Sequence, residues 1–375
     1  MHIKSRNPLR TLVAALALSF TLDASAAEPV RGVWVAGPQH NQFWTSREAM
    51  RADLQTFKRA GLNTVYVVAL MTGRTLYPSE RMARITGERQ FESLGSRDAL
   101  QEVLDEAQPL GLRVVAWLEL GFASHYGSGT APSGLLKHRP DWLGLTRDGK
   151  PLVKNGFHWM NAFDPELQQL MIDLSTELLA RYPRLHGVQG DDRLPASPSS
   201  GGYHDQVLKD YGWQPGQPLP GDRDPRWLQF RADRLTAFLK RWHAAVKAVR
   251  PSAVLSLSPS PYPWALDEYL QDWPAWMRAG LVDELLPQLY RRDAAGYEKL
   301  LADTRAHVPP DQTNRVFPGM LLALGPDVIP SAELLTQWIA STRAAGFAGE
   351  VQFHSVGVLK RANVFMAAYK KEARH

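Results

Sequence analysis

Residues 186–195 read HGVQGDDRLP. This stretch predicts a short buried strand over residues 187–191 that ends in two adjacent carboxylates, Asp191 and Asp192. Arg193 and Pro195 then interrupt the pattern. Charged groups at the end of an apolar strand are costly to desolvate unless a partner or a reaction uses them. In a barrel of parallel strands the chemistry lies at that end, so the pair marks the centre of a candidate site.

The same pattern, a short apolar run followed by a helix-length amphipathic run, repeats along the chain. The predicted strands are residues 31–37, 63–70, 113–120, 187–191, 253–259, 281–290, 315–323 and 349–355. The predicted helices are residues 48–60, 98–109, 166–182, 225–249, 264–278, 294–306, 331–345 and 358–370. Glycines at 61, 111, 280 and 346 are typical of helix ends that turn back into strands. Eight alternating units predict an α/β fold, a single (β/α)8 TIM barrel.

An open doubly wound sheet is the alternative fold. It would require a glycine-rich phosphate loop after the first strand, where the sequence instead reads Gly37-Pro38-Gln39-His40. Two loops are unusually long, residues 121–164 after the third strand and 193–224 after the fourth. Loops of that length in a compact domain are usually functional, and both begin on the face that carries Asp191. We expect them to form the walls of a groove.

The N-terminus has the three parts of a secretory signal peptide. Basic residues precede a short apolar core over residues 11–22, and Ala24-Ser25-Ala26 forms a cleavage site. The core is too short to span a bilayer; an amphipathic N-terminal helix is the alternative. The prediction is a signal peptide at residues 1–26 and a single (β/α)8 domain at 27–375, secreted across the inner membrane to the periplasm or beyond.

The charge and cysteine content of the chain exclude several kinds of binding partner. Removing residues 1–26 takes three basic and one acidic residue from totals of 43 and 38, leaving 40 against 37. Basic residues form no stripe suited to a phosphate backbone, which argues against nucleic acid. The chain has no cysteine, so disulfides, thiolate metal sites and a lipoprotein anchor are excluded. We expect a monomer that is free of the membrane after signal cleavage and needs no cofactor.

Strand alternation predicts which side chains point into the barrel mouth. On the third strand these are Trp117 and Glu119, and on the fourth Gln189 and Asp191, with Asp192 at the rim. The later strands contribute Ser256, Ser258, Gln288, Tyr290, Gln352 and His354. A single inward Gln or Ser is commonly a satisfied core group. Three converging carboxylates differ, because like charges in proximity raise the pKa of at least one of them.

A protonated acid beside an ionised carboxylate is the arrangement that glycoside hydrolysis requires. Aromatic side chains support this interpretation, since sugar rings stack on them. The chain has 12 Trp and 11 Tyr. Several tryptophans fall near strand ends or in the long loops: Trp34, Trp117, Trp142, Trp159, Trp213 and Trp264. Packing in the core is the alternative role for many of them.

Other chemistries have weaker support. The sequence contains no H-x-H or H-E-x-x-H, so a metal site is not predicted, although Asp191, Asp192 and His354 could hold a hard divalent ion. Serine nucleophile chemistry would call for a G-x-S-x-G elbow, which is absent.

The motifs resemble a bacterial glycosyl-hydrolase-like barrel family, the family-10-like glycosylhydrolases, from about residue 31 to residue 369. The similar segments are RGVWVAG, GLNTVYVV, GLRVVAWLELGF, HRPDWLGLTRDGK, WMNAFDPELQQLMIDL, HGVQGDDRLP, EYLQDWPAWMRAGLVDELLPQLYRRD and AGFAGEVQFHS. The family usually has a large residue before the paired aspartates and often an aromatic residue or His after them; here these are Gly190 and Arg193. The resemblance implies a cell-envelope glycosidase with peptidoglycan glycan strands as substrate.

These observations lead to specific expected roles. Glu119 is the expected general acid/base, Asp191 the second catalytic carboxylate, and Asp192 the group that holds or tunes it. The expected substrate-binding residues are Trp34, Trp117, Gln288, Tyr290 and His354. Two other functions are kept open: a non-catalytic carbohydrate-binding barrel and a metal-dependent glycan hydrolase or deacetylase.

Overall fold

A curled sheet of eight parallel strands organises the protein. The computed structural model describes residues 29–39, 41–129, 133–324 and 327–372, and the proposed signal peptide lies outside them. The strands are β1 (Arg31–Val35), β2 (Thr64–Met71), β3 (Arg113–Leu118), β4 (Gly187–Gly190), β5 (Val254–Leu257), β6 (Glu284–Leu285), β7 (Gly319–Leu321) and β8 (Glu350–Phe353). Their order in the sheet is β6-β5-β4-β3-β2-β1-β8-β7.

Helices connect the strands. They are α1 (Arg47–Arg59), α2 (Glu80–Thr86), α3 (Ala99–Ala107), α4 (Pro165–Arg181), α5 (Asp205–Tyr211), α6 (Pro225–Val249), α7 (Trp264–Tyr269), α8 (Trp273–Arg278), α9 (Ala294–His307), α10 (Ala332–Ala344) and α11 (Ser355–Glu372), the last with a non-helical residue at Arg361. Polar caps begin many of them; Ser46, for example, accepts from the Ala49 N–H at the start of α1. No helix in the described ranges is long and apolar enough to cross a membrane.

The strand order follows the chain in one rotational sense and does not reverse, whereas a doubly wound sheet reverses at a switch point. The sheet is therefore a curled half-barrel of parallel strands, and closure into the (β/α)8 barrel predicted from sequence stays a prediction. Two isolated parallel bridges, Leu285 to Val316 and Gln288 to Gly319, lie between its edge strands.

The alternation expected for β4 is confirmed. Inside the curl, Gln189 accepts from Trp34 Nε1 at 2.7 Å and donates to Ser256 Oγ at 2.8 Å. On the opposite face, a side chain at Gly190 would meet Trp242 of α6. Lower in the curl, Tyr66 and Arg113 both donate to Glu284, so charged groups at the strand starts are paired.

Several predicted elements differ from the structure, and both long loops contain elements that were not predicted. The sixth strand is confined to Glu284–Leu285, because Pro287 has no N–H to continue a ladder. The helix predicted over residues 264–278 is two helices, separated where Leu270 adopts a φ of +60° and Asp272 caps α8. The first long loop contains an antiparallel sheet of Ala123–Tyr126, Phe157–Trp159 and Val153–Lys154, and the second contains α5.

Candidate active site

The turn after β4 brings two strand ends into close contact. A Cβ on Gly190 would lie 2.2 Å from the carbonyl oxygen of Leu194, and a Cβ on Gly121 would lie 2.4 Å from Cβ of Leu194. Gly121 also has a φ of +47°, a conformation that favours glycine. Only small residues at these two positions allow the chain after Asp191 to fold back against the end of β3.

Asp191 is enclosed by donors. Its side chain is 2% exposed. Oδ1 accepts from the backbone N–H of Arg193 at 2.9 Å, and Oδ2 accepts from the backbone N–H of Leu120 at 3.2 Å and from Arg193 Nη1 at 2.8 Å. Burial raises the pKa of Asp191 to about 6, against the opposing effect of the Arg193 charge. Both oxygens are occupied, which suits a residue that positions its neighbours.

Asp192 has the opposite environment. Its side chain is 24% exposed, and Oδ1 accepts from the same Arg193 Nη1 at 2.7 Å. Oδ2 accepts no hydrogen bond from the part of the chain that the structure describes. The guanidinium of Arg193 also lies 4.1 Å from the centre of the Phe157 ring, which fixes its orientation. Of the two aspartates, Asp192 is therefore the one with an oxygen available to a ligand.

Glu119 is the protonated partner in this cluster. Its Oε2 is buried and has no hydrogen-bond partner in the described residues. Burial, together with the negative charges of Asp191 and Asp192, raises the pKa of Glu119 from 4.5 to about 8, although Arg193 acts in the opposite direction. Near neutral pH this side chain is a carboxylic acid with a proton to donate.

Tyr290 faces the same charges. Burial first, and then the negative charges of Asp192 and Asp191, raise the pKa of its phenol well above 10. The hydroxyl is buried and has no hydrogen-bond partner in the described ranges, while the ring packs on Phe353 with 5.1 Å between centres. Gln288 lies two residues earlier and donates to the carbonyl of Ser258 at 3.1 Å. Tyr290 is thus an uncommitted donor directed at the carboxylate cluster.

The remaining expected binding residues occupy less open positions. Trp34 is 1% exposed and bonded to Gln189, so its ring has no face available to a sugar in this conformation. Trp117 is also buried, and its Nε1 has no partner in the described residues. His354 is buried beside Phe353, with 5.4 Å between ring centres. The structure therefore brings together Glu119, Asp191, Asp192 and Tyr290, and places Trp34 below them.

An aromatic wall beside Arg193 was not predicted as a unit. We define it by ring contacts from Tyr126 to Phe157 (5.0 Å), Trp159 to Tyr269 (5.6 Å) and Tyr269 to Trp264 (5.1 Å). The rings at its ends are open, with Tyr126 70% and Trp264 46% exposed. Burial and then the negative charge of Asp192 raise the pKa of Tyr269, so the wall runs past the carboxylates. Only Trp159 and Trp264 were indicated by the sequence, through their position in or near the long loops.

Arg231 of α6 is a second residue that the sequence did not reveal. It is fully buried and donates to the carbonyl oxygens of Ser199, Gly201 and Asp222 at 2.6, 2.5 and 2.8 Å. Burial lowers its pKa to about 10. These bonds hold the long loop after β4 against α6. An arginine in an amphipathic helix gives no sign of such a role in sequence.

The described residues contain no group of three or more His, Cys, Asp or Glu side chains arranged to hold a metal ion. Asp191, Asp192 and His354, the set considered from sequence, do not form such a group. The two aspartates are instead bound to the cation of Arg193.

This fold and the acidic site at its strand ends place the protein among glycosidase-type α/β proteins. The glycoside hydrolase domain of PgaB (BpsB) from Bordetella bronchiseptica superposes with a TM-score of 0.65 at 15% identity, covering 91% of this chain and 98% of that one. α-L-Fucosidase isoenzyme 2 from Paenibacillus thiaminolyticus gives a TM-score of 0.64 at 14% identity, covering 92% and 50%. At these identities the similarity concerns the fold alone.

The family follows from sequence. The model of the family described as glycosyl hydrolase-like 10 matches residues 29–325, and the chain belongs to that family. Glycosyl hydrolase DigH from Escherichia coli (strain K12) is 26% identical over 344 residues, covering 79% of this chain and 73% of that protein. The resemblance noted from the motifs is confirmed.

Proposed function

We propose that this protein is an exported glycoside hydrolase that cleaves a bacterial polysaccharide, with peptidoglycan glycan strands as the substrate. The observation that carries the proposal is the pairing of Glu119, whose Oε2 is buried and whose pKa is raised, with the partly exposed Asp192 at the carboxyl ends of adjacent strands. Family membership supports the class of reaction. The two edge bridges support a sheet that continues into a complete (β/α)8 barrel.

Glu119 is the general acid in this proposal. Its proton, retained at neutral pH because of burial and neighbouring negative charge, passes to the glycosidic oxygen as the bond to the sugar breaks. Its orphaned Oε2 has no competing hydrogen bond in the described residues, so the proton is available to a substrate.

Asp192 is the second carboxylate, acting as nucleophile or as base for water. This reverses the roles expected from sequence for the two aspartates, since Asp191 already accepts three hydrogen bonds while Asp192 accepts one through Oδ1. Asp191 acts through Arg193, which it holds in the position that also contacts Asp192. It is therefore a positioning residue.

The sugar is held by donors and rings around these carboxylates. The hydroxyl of Tyr290, which has no partner among the described residues, would donate to the sugar or to the oxygen that develops charge. The exposed ends of the aromatic wall, Tyr126 and Trp264, offer flat faces on which sugar rings can stack. Gln288 and His354, also at the strand ends, and Trp117, whose Nε1 has no partner in the described residues, are the other proposed binding residues.

The test uses purified mature protein and isolated peptidoglycan, both intact and stripped of its peptides. Soluble products are identified by mass spectrometry for the wild type, Glu119→Gln, Asp192→Asn and Asp191→Asn. Fragments that the wild type releases and that Glu119→Gln and Asp192→Asn do not release would support the carboxylate mechanism and identify the linkage.

The same assay separates the alternatives. A chelator that abolishes cleavage, with recovery on adding a divalent ion, would replace the proposal with metal-dependent hydrolysis. Tight glycan binding without fragments from any variant would replace it with a carbohydrate-binding barrel. Cell fractionation tests export, and a precursor that stays uncleaved in the cytosol would contradict it.

A further inference from the structure

A basic pocket of about 350 Å³ lies beside the aromatic wall, between the loops that follow β2 and β3. We define it by six of its lining residues, Arg74, Glu88, His125, Tyr126, Lys137 and His138. Its volume falls within the range of small-molecule sites. The catalytic proposal makes no use of it.

The pocket adjoins the carboxylates through two ring contacts. Tyr126 lines the pocket and packs on Phe157 with 5.0 Å between centres. Phe157 in turn lies under the guanidinium of Arg193, which contacts Asp192. A chain bound along the wall from Asp192 would therefore reach the pocket at Tyr126.

The charge in the pocket is positive. Arg74 and Lys137 face one carboxylate, Glu88, which accepts from Arg74 Nε at 2.7 Å. Lys137 and His138 lie close enough to Glu88 to add to the effect of that hydrogen bond in lowering its pKa. Because the pocket has one carboxylate, Glu88, and two permanent cations, Arg74 and Lys137, its net positive charge favours an anionic ligand.

His125 supplies an independent sign of a missing ligand. It is 7% exposed, and neither of its ring nitrogens has a hydrogen-bond partner within 3.5 Å in the described residues; burial lowers its pKa, and the nearby backbone of Ser133 acts in the opposite direction. Its ring stacks on His158 with 4.3 Å between centres. Buried polar groups in native proteins are nearly always satisfied, so a polar group that enters the pocket would complete this site.

We propose that the basic pocket is a subsite for an anionic group, a carboxylate or a phosphate, carried by the glycan. The inference rests on the proposed function in that the group belongs to the bound polysaccharide. Lys137 and Arg74 supply charge, and His125 supplies a hydrogen bond inside the pocket. The protein would thereby select glycans that carry negative charge at a defined distance from the cleaved bond.

The test measures affinity and cleavage separately. Peptide-free glycan strands, which carry the muramic acid carboxylate, are compared with the same strands after reduction of that carboxylate to an alcohol, and with a glycan that bears phosphate. Calorimetry gives the affinity, and product analysis gives kcat/KM. The wild type should bind one of the charged glycans about tenfold more tightly than the reduced one, and added salt should narrow the difference.

Lys137→Met, at an exposed position, should remove most of that preference and leave kcat/KM for the reduced strand unchanged. Lys299→Met on α9 is the matched control, because Lys299 is exposed and pairs only with Asp303 among the described residues. Equal affinity of the wild type for charged and reduced strands would overturn the subsite, even if both are cleaved. If the wild type prefers a charged glycan and Lys137→Met loses that preference, the subsite is upheld, even if neither strand is cleaved.

Discussion

Arg193 folds back onto Asp191, two residues before it. Its Nη1 lies 2.8 Å from Oδ2 of Asp191, and its backbone N–H lies 2.9 Å from Oδ1. This double attachment fixes the guanidinium where the same nitrogen reaches Asp192 at 2.7 Å. The chain therefore builds its cation and both aspartates from three consecutive residues, with Phe157 as the platform beneath them.

Replacing Arg193 should reveal how much the site depends on this cation. In Arg193→Met the opposing charge is lost, so the pKa of Asp191 should rise above about 6 and Asp192 should lose its fixed position. We expect kcat/KM to fall by about 100-fold and the acidic limb of the pH profile to move up by about 1 unit or more. Arg193→Lys keeps the positive charge, so the acidic limb of its pH profile should stay at the wild-type pH. An unchanged profile in Arg193→Met would show that the cation does not act on the carboxylates.

The pH dependence of cleavage should be bell-shaped. Glu119 must be protonated to donate, so activity falls as pH rises through about 8. Asp191 must be ionised to hold Arg193, so activity falls as pH drops through about 6. Because these groups interact, the profile gives apparent values for the cluster.

The matched variant for that profile is Glu119→Gln, which keeps the shape of the side chain and removes the proton. We expect kcat/KM to fall by about 10²–10⁴ and the alkaline limb to disappear. Steady-state kinetics on a soluble glycan across the pH range measures both effects. An alkaline limb that persists in Glu119→Gln would assign that ionisation to another group.

Stability should respond to the same substitution. The folded-state pKa of Glu119 is raised, so its contribution to stability is complete below the unfolded value of 4.5 and is lost as pH rises through about 8. Glu119→Gln has no proton to lose. Thermal unfolding should therefore show the variant gaining a few degrees in Tm relative to the wild type at about pH 9, with little difference near pH 4. A difference in Tm between variant and wild type that is the same at every pH would show that it does not come from the cost of burying an ionised Glu119.

Much of the fold could be predicted, because most strands are short, largely apolar runs and most helices carry a cap or a terminal glycine. The sixth strand was predicted too long, and the helix over 264–278 was predicted as one helix where the structure has two. Pro287 ends the ladder of backbone hydrogen bonds because it has no N–H. Leu270 adopts a left-handed backbone conformation, which cannot be predicted from the fact that the residue is leucine. The small sheet of the first long loop pairs Ala123 with Trp159 across a distant turn, which periodicity does not reveal.

The site was accessible from sequence to the extent that it depends on alternation along a strand. Alternation placed Glu119, Asp191 and Tyr290 at the strand ends, where the structure has them. The different environments of Asp191 and Asp192 depend on where Arg193 points, and that depends on Phe157, 36 positions earlier in the chain. Contacts of that kind are set by the packed loops and not by local pattern.

The aromatic wall should contribute to cleavage of long chains. Tyr126→Ala and Trp264→Ala remove exposed rings, so we expect little loss of stability and about a tenfold decrease in kcat/KM on polymeric glycan for each. Tyr126→Phe and Trp264→Phe keep a flat ring and should retain most of the activity. Equal kcat/KM values for the Ala and Phe variants would show that ring stacking does not contribute to binding of the glycan.

Arg231 should be required to hold the second long loop. Arg231→Met leaves the carbonyl oxygens of Ser199, Gly201 and Asp222 without their donors in a buried setting, and a buried acceptor without a partner costs about 1–3 kcal/mol. We expect a loss of about 3 kcal/mol in the free energy of unfolding. Thermal and urea unfolding measure it. Arg234→Met, on the same helix but half-exposed and paired with Asp210, is the matched control and should cost less than about 1 kcal/mol. An equal loss of unfolding free energy in both variants would show that apolar contacts hold the loop and that the hydrogen bonds of Arg231 contribute little.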